Sequence, residues 1–139
     1  MEKEDRIRRI VQAQIIECLN RFYAMETGMW GTPLDALIVR TVVTGEMEDR
    51  LYDLSALAGA LGIPVSTIHR KISELEQVGL LRRERQGRSS YLVPTEKTRI
   101  QLDKSFDEMI ATLERLYRGK QVLSDVIEGG SNKRAGTQV

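Results

Sequence analysis

The chain has 139 residues, 41% of them hydrophobic, and a formal net charge of +1, which suits one compact domain with a few long elements rather than two ordinary domains. Its apolar runs fall far short of the roughly 20 residues that span a bilayer, and no signal-peptide core follows its charged start, so no membrane partner and a cytoplasmic location are expected. The charge is uneven: residues 1–67 hold 7 Lys/Arg against 10 Asp/Glu, residues 68–99 hold 8 against 4, and residues 100–139 hold 6 against 6, so a local basic footprint sits in the middle of the chain.

Residues 4–26 carry Ile7, Val11, Ile15, Cys18, Phe22 and Met25 at helical spacing, with Ile10 and Leu19 widening the stripe, which predicts a long amphipathic helix of roughly 35 Å. Cys18, the single cysteine, allows no intrachain disulfide and no cysteine-based zinc site, and on this stripe it reads as a small buried hydrophobe. No metal and no cofactor are expected. Gly28 and Gly31 bracket a break that holds Met29 and Trp30. Met25, Met29, Trp30 and Tyr23 are read either as hinge packing or as the lining of a pocket for a small-molecule effector.

Thr32-Pro33-Leu34-Asp35 reads as a helix start, with Thr32 as N-cap, Pro33 at the first helical position and Asp35 completing a capping box. Leu34, Leu37, Ile38, Thr41 and Val42 form the inner face of that helix, and Thr44 to Arg50 reads as a loop. A short helix capped by Asp53 or Ser55 then runs to Leu61, where Gly62 and Pro64 end it. The next helix follows a three-residue turn, with Ile68, Ile72 and Leu75 inward and Gly79 at its end. Leu80 to Arg85 and Ser89 to Val93 make two strands around Gln86-Gly87-Arg88.

Thr95 caps a last helix on which Leu102, Phe106, Met109, Leu113, Leu116, Lys120, Leu123 and Ile127 repeat every seven residues. Residues 129–139 read as a disordered tail.

Two helices joined by a tight turn, followed by a basic hairpin, fit duplex DNA for a geometric reason, because the B-form major groove admits one helix. The outward face of the second helix carries Ser66, His69, Arg70, Ser73 and Gln77, with Thr67 beside them near its N-terminus. Arg70 is the candidate for bidentate contact with guanine. Arg82, Arg83, Arg85 and Arg88 lie on the hairpin, and Arg85 and Arg88 flank a tip suited to a narrow minor groove. The DNA-binding set is therefore Ser66, Thr67, His69, Arg70, Ser73, Arg83, Arg85 and Arg88. The plainer alternative is a solvated, edge-protecting arginine face, with Arg70 paired to Glu74 on its own helix.

Residues 53–99 resemble the winged helix-turn-helix of bacterial regulators, and the layout is similar to the multiple-antibiotic-resistance regulator (MarR-like) family. The resemblance rests on Leu-Ala-x-Ala-Leu-Gly-Ile at 57–63 and Leu-Glu-x-x-Gly-Leu-Leu at 75–81, and it carries Arg88 over as the wing arginine. It implies an intertwined dimer made by long N- and C-terminal helices, with DNA released by ligands or oxidation. It also supplies the sharper reading of Cys18 as a peroxide-sensing thiol, although no lysine or histidine adjoins it to lower its pKa.

The uncovered apolar stripes require a partner, and a second copy of the chain is the expected one, through Val11, Ile15, Cys18, Phe22, Phe106, Met109, Leu113 and Leu116. The expected architecture is mainly α with a small β-hairpin wing: an N-terminal dimerisation helix and hinge at 1–31, a winged helix-turn-helix at 32–94, a C-terminal dimerisation helix at 95–128, and the tail. The expected function is a homodimeric, sequence-specific transcriptional regulator that binds double-stranded DNA. The alternative is a winged helix used for protein interaction, or in a replication or partition protein. One histidine and one cysteine, with no phosphate loop, metal motif or nucleophile elbow, argue against an enzyme.

Overall fold

The structure, a computed structural model, describes residues 2–136. The elements run α1 (Lys3–Trp30), α2 (Pro33–Met47), α3 (Leu54–Leu61), α4 (Val65–Gln77), β1 (Leu81–Gln86), β2 (Ser89–Pro94) and α5 (Glu96–Gly136). They sort into two compact units: Met25–Ser105, and the two chain ends up to Ala24 and from Phe106. Among the described residues no helix is long and apolar enough to cross a membrane.

The Met25–Ser105 unit closes around Ile38, Val39 and Val42 of α2, Leu57 of α3, Ile68 and Ile72 of α4, and Leu81 and Leu92 of the hairpin, all at most 2% exposed. Truncating such a side chain to alanine costs about 2–5 kcal/mol. Thr32 caps α2 in the predicted way: its hydroxyl accepts from the Asp35 amide, and the Asp35 carboxylate accepts from the Thr32 amide at 3.2 Å. Two boundaries in this part of the chain differ from the sequence reading. α1 runs through Gly28 to Trp30, because a helical glycine costs only about 1 kcal/mol and Trp30, 4% exposed, is anchored in the core. The break falls at Gly31, where φ is +107°.

The second difference is that α2 continues through Thr44 and Gly45 to Met47. Here the missing side chain is the reason: a Cβ at residue 45 would lie 2.7 Å from the Arg50 carbonyl oxygen and 2.8 Å from the Tyr52 ring. The bare glycine lets the chain fold back over the helix. The Arg50 amide donates to the Gly45 carbonyl at 2.7 Å, and Tyr52 then bridges to Leu92 of β2.

In the chain-end unit the two helices are antiparallel: Gln14 lies against Gly119, and Arg115 approaches Glu17 at 3.6 Å. Val11, Cys18 and Thr112 are buried there. The seven-residue repeat of the last helix divides in two. Met109, Leu116 and Leu123 are half-buried within the unit, whereas Phe106, Leu113 and Ile127 are exposed. α5 is carried past residue 128, the expected end, through the Gly129–Gly130 pair to Gly136; two helical glycines cost about 2 kcal/mol together, which does not end the helix. Of the tail, residues 137–139 lie outside the described residues.

Candidate nucleic-acid interface

The helix-turn-helix is built by local chemistry. Asp53 caps α3, accepting from the Ala56 amide at 2.7 Å, and Gly62 closes it in the left-handed conformation with φ +66°. Pro64 bars continuation and opens α4 without a side-chain cap bond, which leaves the first-turn amides free of a side-chain acceptor. Ile68, Ile72 and Leu75 hold the inner face of α4. Ser66, His69, Arg70 and Gln77 are exposed on the opposite side. Thr67 and Ser73 are half-buried, and the Ser73 hydroxyl donates to the His69 carbonyl at 3.0 Å.

The hairpin pairs Arg85 with Ser90 and Gln86 with Ser89, which leaves Gly87 and Arg88 as its tip. Gly87 has φ +61°, the positive φ that a type II′ turn asks of its first central residue. Among the described residues Arg85 and Arg88 are exposed and engaged in no ion pair. Arg83 differs from the expectation, since its Nε donates to Glu76 at 2.9 Å and it ties β1 to α4 rather than standing free. Arg82 lies on the other face of the strand, 4.0 Å from Glu84.

The Arg70–Glu74 pair read as the plainer alternative is present, and two further features of this surface escape sequence reasoning. The first is that Lys71 extends that pair into a chain of charges. Lys71 Nζ lies 3.2 Å from Asp35 Oδ1 and 3.7 Å from Glu74 Oε2, while Glu74 Oε1 lies 3.6 Å from Arg70. The second is a clasp on the turn after α4: Lys97 donates to the Val78 carbonyl at 3.0 Å, the Thr95 hydroxyl to Gly79, and the buried Thr98 hydroxyl to Leu80 at 2.6 Å. The Thr95-x-x-Thr98 spacing at a helix start was its available signal.

Burial alone would raise the pKa of Asp35, but hydrogen bonds from Thr32 and Lys71 outweigh it and hold the carboxyl below its ordinary value. A depressed carboxylate contributes stability that is present above the unfolded pKa and lost as pH falls through the folded one. Thermal stability is therefore expected to drop as pH falls below about 4. Asp35→Asn should flatten that acid limb and cost on the order of 1 kcal/mol at neutral pH; melting curves across pH that superimpose for the two proteins would count against this role.

Trp30 donates from Nε1 to Gln101 at 3.2 Å and Met29 packs against the core, so both serve as packing; Met25 is half-buried and Tyr23 exposed. In the chain-end unit Val11 and Cys18 are buried by the chain itself, Phe22, Met109 and Leu116 are half-buried, and Ile15, Phe106 and Leu113 are exposed.

No family model and no curated protein matches the sequence. Among solved structures the chain is similar to Sco3205, a MarR family transcriptional regulator from Streptomyces coelicolor in complex with DNA (15% identity, 99% of this chain and 91% of that one, TM-score 0.54). It is similar to RV1404 from Mycobacterium tuberculosis (16%, 94% and 96%, TM-score 0.60). It is also similar to the transcriptional regulator Tm0710 from Thermotoga maritima (19%, 98% and 96%, TM-score 0.55). The fold is thus the MarR-like winged-helix fold, mainly helical with a two-stranded antiparallel hairpin.

Proposed function

We propose that this chain, built on the MarR-like winged-helix fold, is a homodimeric transcriptional regulator that binds double-stranded DNA, and not an enzyme. The observation that carries the reading is a single one: the exposed face of α4 bears Ser66, His69 and Arg70, and the hairpin of the same unit ends in two arginines, Arg85 and Arg88, engaged in no ion pair among the described residues. α4 enters the major groove, and the arginine tip lies at the minor groove. Arg83, already held by Glu76, serves the wing's pose more than the phosphates.

Arg70 lies about 200° from Ile68 around α4, so removing its side chain opens no cavity. Arg70→Ala is expected to reduce preference at one position of each half-site by about 5-fold to over 100-fold and to leave non-specific affinity nearly intact. Specificity profiles of wild type and variant that superimpose would overturn the assignment. A protein-interaction module would instead show no steep salt dependence with duplex DNA.

The second copy is called for by apolar side chains left bare on the chain-end helices. Phe106, Ile110, Leu113 and Tyr117 recur along α5 at 58%, 38%, 49% and 64% exposure, and Ile15, Ile16 and Leu19 on α1 at 42%, 58% and 64%. A continuous stripe of this kind marks an interaction surface, and two-fold pairing is its commonest use. Sedimentation equilibrium at micromolar concentration is expected to give a dimer, with Leu113→Glu shifting it toward monomer; a helical wild-type monomer would refute the pairing.

A further inference from the structure

We propose that Lys71 is a positioning residue that governs how readily Arg70 leaves Glu74 for the duplex, an inference that rests on the groove-reading role given to Arg70. The geometry is asymmetric. Lys71 is pinned: its side chain is 14% exposed, and its Nζ lies 3.2 Å from Asp35, itself 15% exposed and fixed by Thr32 at the start of α2. Arg70 is loose, with a side chain 64% exposed and 3.6 Å from Glu74. Between them the Glu74 carboxylate offers one oxygen to each cation.

In the free protein Glu74 is the resting partner of Arg70. When Arg70 turns to a base edge it deserts a carboxylate that now faces phosphates, and an anion left alone in a narrowing, desolvated interface is costly. Lys71 is already on the other oxygen at 3.7 Å, and Asp35 prevents it from following Arg70 to the DNA. It therefore keeps Glu74 neutralised and lowers the cost of releasing Arg70. Without the ammonium, Glu74 would hold Arg70 more firmly and repel the backbone it faces.

The test is a cycle of Lys71→Met and Glu74→Gln, read as preference for the best duplex over one altered at the position that Arg70→Ala marks. Lys71→Met is expected to lower that preference about two- to fivefold, Lys71→Arg to retain it, and Lys71→Met on the Glu74→Gln background to change nothing. If Lys71→Met unfolds because Asp35 is left unpaired, the Asp35→Asn/Lys71→Met pair takes its place in the same cycle. A loss of thermal stability with unchanged preference, or an equal loss of preference with and without Glu74, overturns the proposal. The groove reading is tested separately by its own arm: if Arg70→Ala leaves preference unchanged, that reading fails first, whereas an active Arg70 with an inert Lys71 defeats only the present inference.

Discussion

Gly45→Ala is expected to destabilise the Met25–Ser105 unit by about 1–3 kcal/mol, the range of overpacked sites, and to lower its melting temperature by roughly 4–8 °C for each kcal/mol. Two effects oppose each other. Alanine in a helix interior gains about 1 kcal/mol over glycine, but here its Cβ would stand 2.7 Å from the Arg50 carbonyl oxygen and 2.8 Å from two carbons of the Tyr52 ring. Neither neighbour yields easily. The Arg50 amide is bonded to the Gly45 carbonyl, and the Tyr52 carbonyl accepts from Leu92 at 2.8 Å, so moving either disturbs the bridge to the hairpin. Gly28→Ala is the control: its Cβ would meet nothing within 4 Å, and the propensity gain should then appear as added stability. Thermal melts showing Gly45→Ala as stable as wild type would mean that the crossing over α2 is looser than described.

Removing both tip arginines should have the largest effect on non-specific binding. Each phosphate neutralised adds about 0.9 to the slope of log affinity against log salt, which near 0.15 M is worth about fivefold, so for each protomer bound Arg85→Ala/Arg88→Ala should weaken duplex binding about 30-fold and lower the slope by about 2. The loss should be uniform over sequences, unlike that of Arg70→Ala, because a charge contact of this kind carries no base identity. Folding should be unaffected, since both side chains are exposed and the hairpin register is fixed by the Gln86–Ser89 and Arg85–Ser90 pairs. Arg88→Ala alone should remove about half of the slope change. Isotherms that coincide at two salt concentrations would defeat the wing assignment.

The parts of this molecule that were legible in the sequence are those fixed by local chemistry. Asp53, Gly62, Pro64 and Gly79 punctuate the helix-turn-helix, and Thr32-Pro33-x-Asp35 announces α2; each acts within a few residues of itself, so spacing alone reveals it. Gly45 misled because a glycine beside polar residues reads as loop, and only Tyr52 lying over it explains why the helix needs it bare. The stripes on the chain-end helices were visible as apolar, but not their division. Val11 and Cys18 turn inward while Ile15 and Leu19 do not, and periodicity carries no information on which flank of a wide stripe meets a neighbour. Arg83 shows the limit for charges: its partner Glu76 lies in another element, and nothing in a basic run tells a strut from a free cation. The same holds for Lys71 with Asp35, which only the tertiary fold joins.

The hold of α5 on the carbonyls of Val78, Gly79 and Leu80 bears on how this part of the molecule breathes. The end of α4, the base of the hairpin and the first turn of α5 are stitched together by Lys97, Thr95 and Thr98, while the Thr95 amide itself donates to Leu80 at 3.1 Å. These segments all meet at the carbonyls of Val78, Gly79 and Leu80, and fraying any one of them unpairs that turn, so they are expected to form one cooperative opening unit rather than three. In deuterium exchange the amides of Leu80 and Thr95 would then lose protection together, whereas those of Gly87 and Arg88 would exchange at nearly the rate of an open chain. On that expectation the hairpin is a stiff stalk with a soft end, whose root keeps α4 in one pose.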